Sequence, residues 1–158
     1  MKKLKYLIIH CTATPEGRLV SAEDIRRWHT DPKPQGRGWR QVGYSDMIHL
    51  NGEIQNLVNY DEDQWVESGE ITNGAKGFNS VSRHVVYVGG TDKDGNPKDT
   101  RTPHQHAALY AYVVETISKH PDIKVLGHNQ VSNKACPSFN VPQWMLLMNL
   151  PKQNIYLK

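Results

Sequence analysis

Cysteine is scarce in this chain and long apolar runs are missing, and each shortage closes off a class of protein. Two cysteines among 158 residues, Cys11 and Cys136, build no disulfide framework, so each reads first as a ligand or a buried thiol. No stretch approaches the ~20 apolar residues of a membrane span. The basic start Met1-Lys2-Lys3-Leu4-Lys5 is followed only by Tyr6-Leu7-Ile8-Ile9, which falls short of the ~7 to 15 residues of a signal-peptide core. The expectation is a soluble protein made in the cytoplasm, which meets any target outside the cell after lysis or by non-signal export. Charge is not concentrated either: 19 basic against 16 acidic residues give +3 without the dense Lys/Arg block of a nucleic-acid arm. Neither nucleic acid nor membrane is expected as a partner, while a mildly basic surface suits an anionic polymer such as a cell wall. There is no internal repeat, linker or low-complexity segment. A length of this order predicts one domain, residues 1–158; nothing in the sequence speaks to oligomeric state, and a monomer is the plain expectation.

What is present reads as alternating strands and helices. Tyr6 to Cys11 is a β-branched apolar run, as in a buried central strand whose last residues, His10 and Cys11, point to opposite faces. Ser21 before Glu23 and Asp24 reads as the N-cap of a helix that stops before Pro32. Asn51-Gly52 between Tyr44–Leu50 and Glu53–Val58 predicts a hairpin, with Tyr44 opening its first strand. Asn59 to Ser80 reads as irregular, Val85 to Val88 as another buried strand, and Thr91 to Thr100 as a surface turn. Thr102-Pro103-His104-Gln105 has a capping Thr, Pro at the first helical position and Gln at the third, and predicts a helix from Pro103 to His120. A short strand, Ile123 to Leu126, delivers His128 at its end, and Pro142 starts a closing helix. The fold class is α/β, with a central mixed β-sheet flanked by helices.

The chemistry gathers in Gly127-His128 through Lys134-Ala135-Cys136-Pro137, which sets an imidazole, an ammonium and a thiol within nine positions. With His10 they supply three nitrogen and sulfur ligands, the number that a catalytic zinc takes from protein while leaving a fourth position open. Any one strand-end histidine is by itself an ordinary polar residue, and it is the trio that points to zinc. His29, His49, His84, His104, His106 and His120 share no motif and read as surface or hydrogen-bonded core positions, and Cys11 as a buried small hydrophobe.

Six blocks in order resemble one family: Ile8-Ile9-His10-Cys11-Thr12-Ala13-Thr14, Val42-Gly43-Tyr44, Gly74-Ala75-Lys76-Gly77-Phe78-Asn79-Ser80, Val88-Gly89-Gly90, Gly127-His128, and Lys134-Ala135-Cys136-Pro137-Ser138-Phe139-Asn140. Together they are similar to the zinc-dependent type 2 N-acetylmuramoyl-L-alanine amidases, in particular the small single-domain phage members, over roughly positions 6 to 144. The resemblance implies a peptidoglycan-recognition-protein-like fold, Zn2+ held by His10, His128 and Cys136, and Tyr44 and Lys134 as catalytic residues beside the metal. It implies peptidoglycan or a muropeptide as substrate, cut at the amide joining N-acetylmuramic acid to L-alanine.

The chain departs from the family pattern at four places. Ser45 stands where many members carry a histidine after the tyrosine, and Thr72-Asn73-Gly74 where many carry Gly-(Ala/Ser)-His. The arginine usual after the hairpin is missing from Leu57 to Asp63, and Arg83-His84 replace a small, apolar pair. Two other readings compete. A non-catalytic peptidoglycan-binding module of the same fold would bind fragments after chelation. A cysteine hydrolase would use Cys136 as nucleophile and His128 as base, although Cys136 precedes Pro137 and lacks the helix start that activates a thiolate.

Overall fold

The computed structural model describes residues 1–158. In chain order the strands and helices are β1 (Lys2–Lys3), β2 (Tyr6–Cys11), β3 (Thr14–Pro15), α1 (Ala22–Thr30), β4 (Asp46–Ile48), β5 (Ile54–Asn56), β6 (Trp65–Val66), β7 (Ser82–Tyr87), β8 (Gly90–Thr91), α2 (Pro103–Lys119), β9 (Lys124–Gly127) and α3 (Val141–Leu147). The central sheet has the order β5-β4-β7-β2-β9, parallel throughout except for β5, which closes the hairpin antiparallel on β4. It is the mixed sheet that the hairpin signal and the helix-linked strands predict.

The β2 run is apolar on both faces because both faces are covered. Leu7, Ile9 and Cys11 share a core with Val85, Tyr87, Leu109, Val113, Val141 and Met145, so α2 and α3 lie on that side. Met47 and Val86 pack with Ala22 and Ile25 of α1, which therefore covers the other side. Leu7, Ile8 and Ile9 are fully buried, which stabilises by about 1.5–3 kcal/mol for each such side chain.

The helix ends follow their sequence signals. Ser21 and Asp24 form a capping box at α1, and Thr102 and Gln105 another at α2 behind Pro103. Gln105 does more than cap. Its Oε1 accepts from the Thr102 amide, while its Nε2 donates to the carbonyls of Ile48 and Val88, tying α2 to the ends of two strands.

Two expectations need correction. The hairpin strands shrink to Asp46–Ile48 and Ile54–Asn56, so Tyr44 stands in the bend before β4 instead of opening it. The ladder ends at Ser45, whose amide donates to the His84 carbonyl and whose own carbonyl accepts from the amides of both Leu57 and Val58. Conversely, β7 begins three residues before the apolar run, at Ser82. Arg83 and His84 are buried there because they have partners. The Arg83 guanidinium lies 3.7 Å from the Tyr60 ring centroid and faces Glu62, while His84 is hydrogen-bonded on both ring nitrogens. The guanidinium missing from Leu57 to Asp63 is thus delivered to that region from β7.

Candidate metal centre

The carboxyl ends of parallel strands are where an open α/β sheet builds its sites. Here β2 and β9 are neighbours with Ile9 opposite Gly127, so the residues that follow, His10 and His128, stand side by side with ring centroids 4.7 Å apart. Cys136 reaches them on a loop pinned at several points. Its Sγ accepts from the Cys11 amide at 3.2 Å, Tyr87 donates its hydroxyl to the Pro137 carbonyl at 2.7 Å, and Ser138 donates to the Gly90 carbonyl at 2.8 Å. Arg101, ion-paired with Asp99, lies 3.5 Å from the Phe139 ring centroid and fixes the far end of the loop. Gly90 is required here: it has φ +107°, and a Cβ on it would sit 2.3 Å from the Cys11 Sγ.

The donor atoms of His10, His128 and Cys136 lie within 4.8 Å of one another. The Cys136 Sγ is 3.6 Å from His10 Nδ1. Sulfur at ~2.3 Å and nitrogen at ~2.05 Å from one zinc, at a tetrahedral angle, are themselves about 3.6 Å apart. Both cysteines are free thiols, so no disulfide removes the sulfur donor. Two imidazoles, one thiol and no fourth protein donor match the ligand set of a catalytic zinc, and the residues present fit the metal.

These groups face a cavity of about 230 Å³ whose wall includes Tyr44, His29, Trp39, Arg37 and Lys134. Tyr44 is half-buried, its ring 5.1 Å from that of His10, and burial followed by the nearby Cys136 thiol pushes its hydroxyl well above the usual range. It is therefore an O–H donor at neutral pH. Lys134 is exposed at the mouth, with no side-chain partner. A shallow groove of about 670 Å³ continues past Lys134, His128 and Trp39 to Arg40 and Lys76, and no acidic side chain lines either space.

The site is tuned toward neutral imidazoles, the form that binds metal. Burial first, then His84, holds His10 far below its ordinary value; burial and then Lys134 lower His128. The Cys11 thiol alongside, together with burial, pushes the Cys136 thiol up, so that it holds its proton at neutral pH.

The structure thus brings together all five residues singled out from the sequence. Sequence reasoning passed over His84 and His29. His84 shares a 2.9 Å hydrogen bond with His10, and His29 accepts the Gly43 amide at 2.9 Å while its ring packs on Tyr44 and Trp39. Both are buried, hydrogen-bonded positions as expected of them, but no local motif tied either to the site. The available signal was the substitution of His84 for a small residue.

The profile of the N-acetylmuramoyl-L-alanine amidase family matches residues 1–139. The chain belongs to this family. It is accordingly a peptidoglycan amide hydrolase. It is 34% identical to an endolysin of Enterobacteria phage K11 over 137 residues, 87% of this chain and 82% of that protein. Among solved structures its fold is similar to that of the N-acetylmuramoyl-L-alanine amidase LysC from Clostridium intestinale URNW, with a TM-score of 0.71 at 20% identity over 95% of this chain and 88% of the other. It is also similar to a Drosophila PGRP-LB mutant in complex with tracheal cytotoxin, with a TM-score of 0.67 at 21% identity over 92% and 81% of the two chains. No helix of the amidase is long and apolar enough to cross a membrane.

Proposed function

We propose that residues 1–158 form one zinc-dependent catalytic domain that cleaves the amide between N-acetylmuramic acid and L-alanine, with His10, His128 and Cys136 holding the metal and Tyr44 and Lys134 acting on the substrate. The observation that carries this reading is the convergence of three donor atoms within 4.8 Å on the wall of an open cavity shared with both other residues. Zinc, when bound, lowers the pKa of a coordinated water toward ~7 and polarises a carbonyl as a Lewis acid.

The chain's own groups do the rest. The Lys134 ammonium, free of any partner, turns toward the negative charge that grows on the carbonyl oxygen. The Tyr44 hydroxyl, kept protonated by burial, donates its hydrogen bond to the oxygen or the leaving nitrogen of the amide. Arg40, Lys76 and Lys134 line a groove without carboxylates, which suits the carboxylate-bearing stem peptide. The substrate is peptidoglycan or a soluble muropeptide, met by a monomer made in the cytoplasm.

Mass spectrometry of defined muropeptides after incubation with zinc-loaded, chelated and zinc-restored protein tests this. The expected product is a free stem peptide beginning with L-alanine, lost on chelation and regained with zinc. Intact substrate at confirmed zinc occupancy, with affinity for the fragment that survives chelation, would instead make the chain a binding module. Turnover that survives chelation but stops on thiol alkylation would assign Cys136 as nucleophile.

A further inference from the structure

His84 sits on β7 with no exposed surface, on the face of the sheet that carries His10. Its two ring nitrogens are both engaged: Nδ1 is 2.9 Å from His10 Nε2, and Nε2 is 3.0 Å from the side-chain Oδ1 of Asn79. That Oδ1 also accepts the backbone amide of Ala75 at 2.8 Å. A backbone N–H is always a donor, so the Asn79 atom facing it is the oxygen, and an oxygen there only accepts.

The protons along this chain follow from that fixed end. His84 donates from Nε2 to Asn79. As a neutral ring it then has only a lone pair at Nδ1, so the hydrogen between the two histidines belongs to His10 Nε2. His10 in turn keeps its lone pair on Nδ1, the atom 3.6 Å from Cys136 Sγ. The opposite arrangement would set a bare His84 Nε2 against a bare Asn79 oxygen.

The space for this imidazole exists because residue 74 is glycine. A Cβ at Gly74 would stand 2.4 Å from His84 Nδ1 and 2.6 Å from its Cγ. Gly74 occupies the place where the family pattern carries histidine, and His84 a place where it carries a small residue. The two departures noted from sequence meet in one spot, where the missing side chain at residue 74 makes room for the ring of His84.

We infer that His84 is a positioning residue: held by Asn79, it locks His10 into the tautomer that presents Nδ1 to the metal, using an imidazole delivered from β7 through the gap left by Gly74. This rests on the zinc reading above for its purpose, but the tautomer is a property of the metal-free protein. Outer-shell partners of this kind are worth ~10- to 100-fold in metal affinity.

Two variants test it: His84→Leu removes the acceptor, and His84→Asn retains a carbonyl oxygen near the position of Nδ1. The readouts are the His10 ring tautomer by long-range 1H–15N correlation in chelated protein, and zinc affinity by competition with a chromophoric chelator. Wild-type His10 is expected to be protonated at Nε2 alone. His84→Leu should mix the tautomers and weaken zinc by ~10- to 100-fold, while His84→Asn should restore much of both. The proposal is overturned if His10 in the wild type carries its proton on Nδ1, or if His84→Leu keeps both the tautomer and the affinity. Should His84→Leu not fold, a folded His84→Asn that loses the tautomer overturns it equally, and one that keeps it supports it. Failure of the wild type to bind zinc would sink the metal reading, and the tautomer measurement would still decide the role of His84.

Discussion

Tyr87→Phe removes one oxygen atom and tests how the fold holds the loop that carries Cys136. The ring of Tyr87 is buried at 1% exposure and stays packed near Phe139 in the variant. What is lost is the 2.7 Å hydrogen bond to the carbonyl of Pro137, the residue after Cys136. An acceptor left unsatisfied in the interior costs about 1–3 kcal/mol. Taking about 2 kcal/mol and about 2–4 °C per kcal/mol for a domain of this size, the midpoint of thermal unfolding in chelated protein should fall by roughly 4–8 °C. Because that carbonyl adjoins a proposed ligand, zinc affinity should drop too, by about tenfold, the lower end for an outer-shell partner. Differential scanning calorimetry with and without zinc, alongside chelator competition, reads both effects. A midpoint within about 1 °C of wild type together with unchanged zinc affinity would refute the reasoning, since it would mean that the loop is held without this bond.

Other perturbations have defined outcomes. Asp46, 3% exposed, accepts the hydroxyls of Tyr60 and Tyr112 at 2.6 Å each and the Asn56 amide at 2.9 Å. Asp46→Ala strands the two tyrosine hydroxyls, while the Asn56 amide keeps the carbonyls of Ser45 and Val58, and should cost about 2–4 kcal/mol in urea unfolding; a loss below about 1 kcal/mol would show that the cluster rearranges freely. Cys136→Ser should weaken zinc binding by more than ~100-fold, whereas Lys134→Ala should leave binding intact and lower kcat by ~10²- to 10³-fold; the converse pattern in chelator competition and turnover would exchange their roles. Burial and then Arg37 push His29 down to about 4, against ~6.5 unfolded. Its contribution to stability is fully present above pH ~6.5, and falls with pH by up to ~1.4 kcal/mol per unit until about pH 4. Urea midpoints of chelated wild type should therefore decline more steeply than those of His29→Asn across this window, and parallel curves would contradict the buried neutral state.

Much of the fold was legible because its signals are local. A β-branched run, two capping boxes and an Asn-Gly turn each specify their element through contacts within a few residues, and β2, α1 and α2 formed at or within a residue of the expected bounds. The hairpin strands were drawn too long because Ser45 and Asn56 turn their bonds away from the ladder, a decision taken by Asp46, the tyrosines and β7. The start of β7 was hidden for the same reason: Arg83 and His84 look like surface residues until Tyr60, Glu62, Asn79 and His10 are in place around them.

The sequence alone therefore singled out the residues proposed to bear the chemistry, since an imidazole at each of two strand ends and a thiol eight residues on together suggest a ligand set. Only the tertiary structure decided what supports them. Gly74 and His84 are ten residues apart in the chain and Tyr87 and Pro137 fifty, and whether such pairs share a cavity wall or a hydrogen bond depends on the sheet order that folds the chain back on itself. Local preference acts over one turn of helix or one hairpin. The orientation of a ring nitrogen depends on every atom around it, and those atoms are gathered only when β2, β7 and β9 pair.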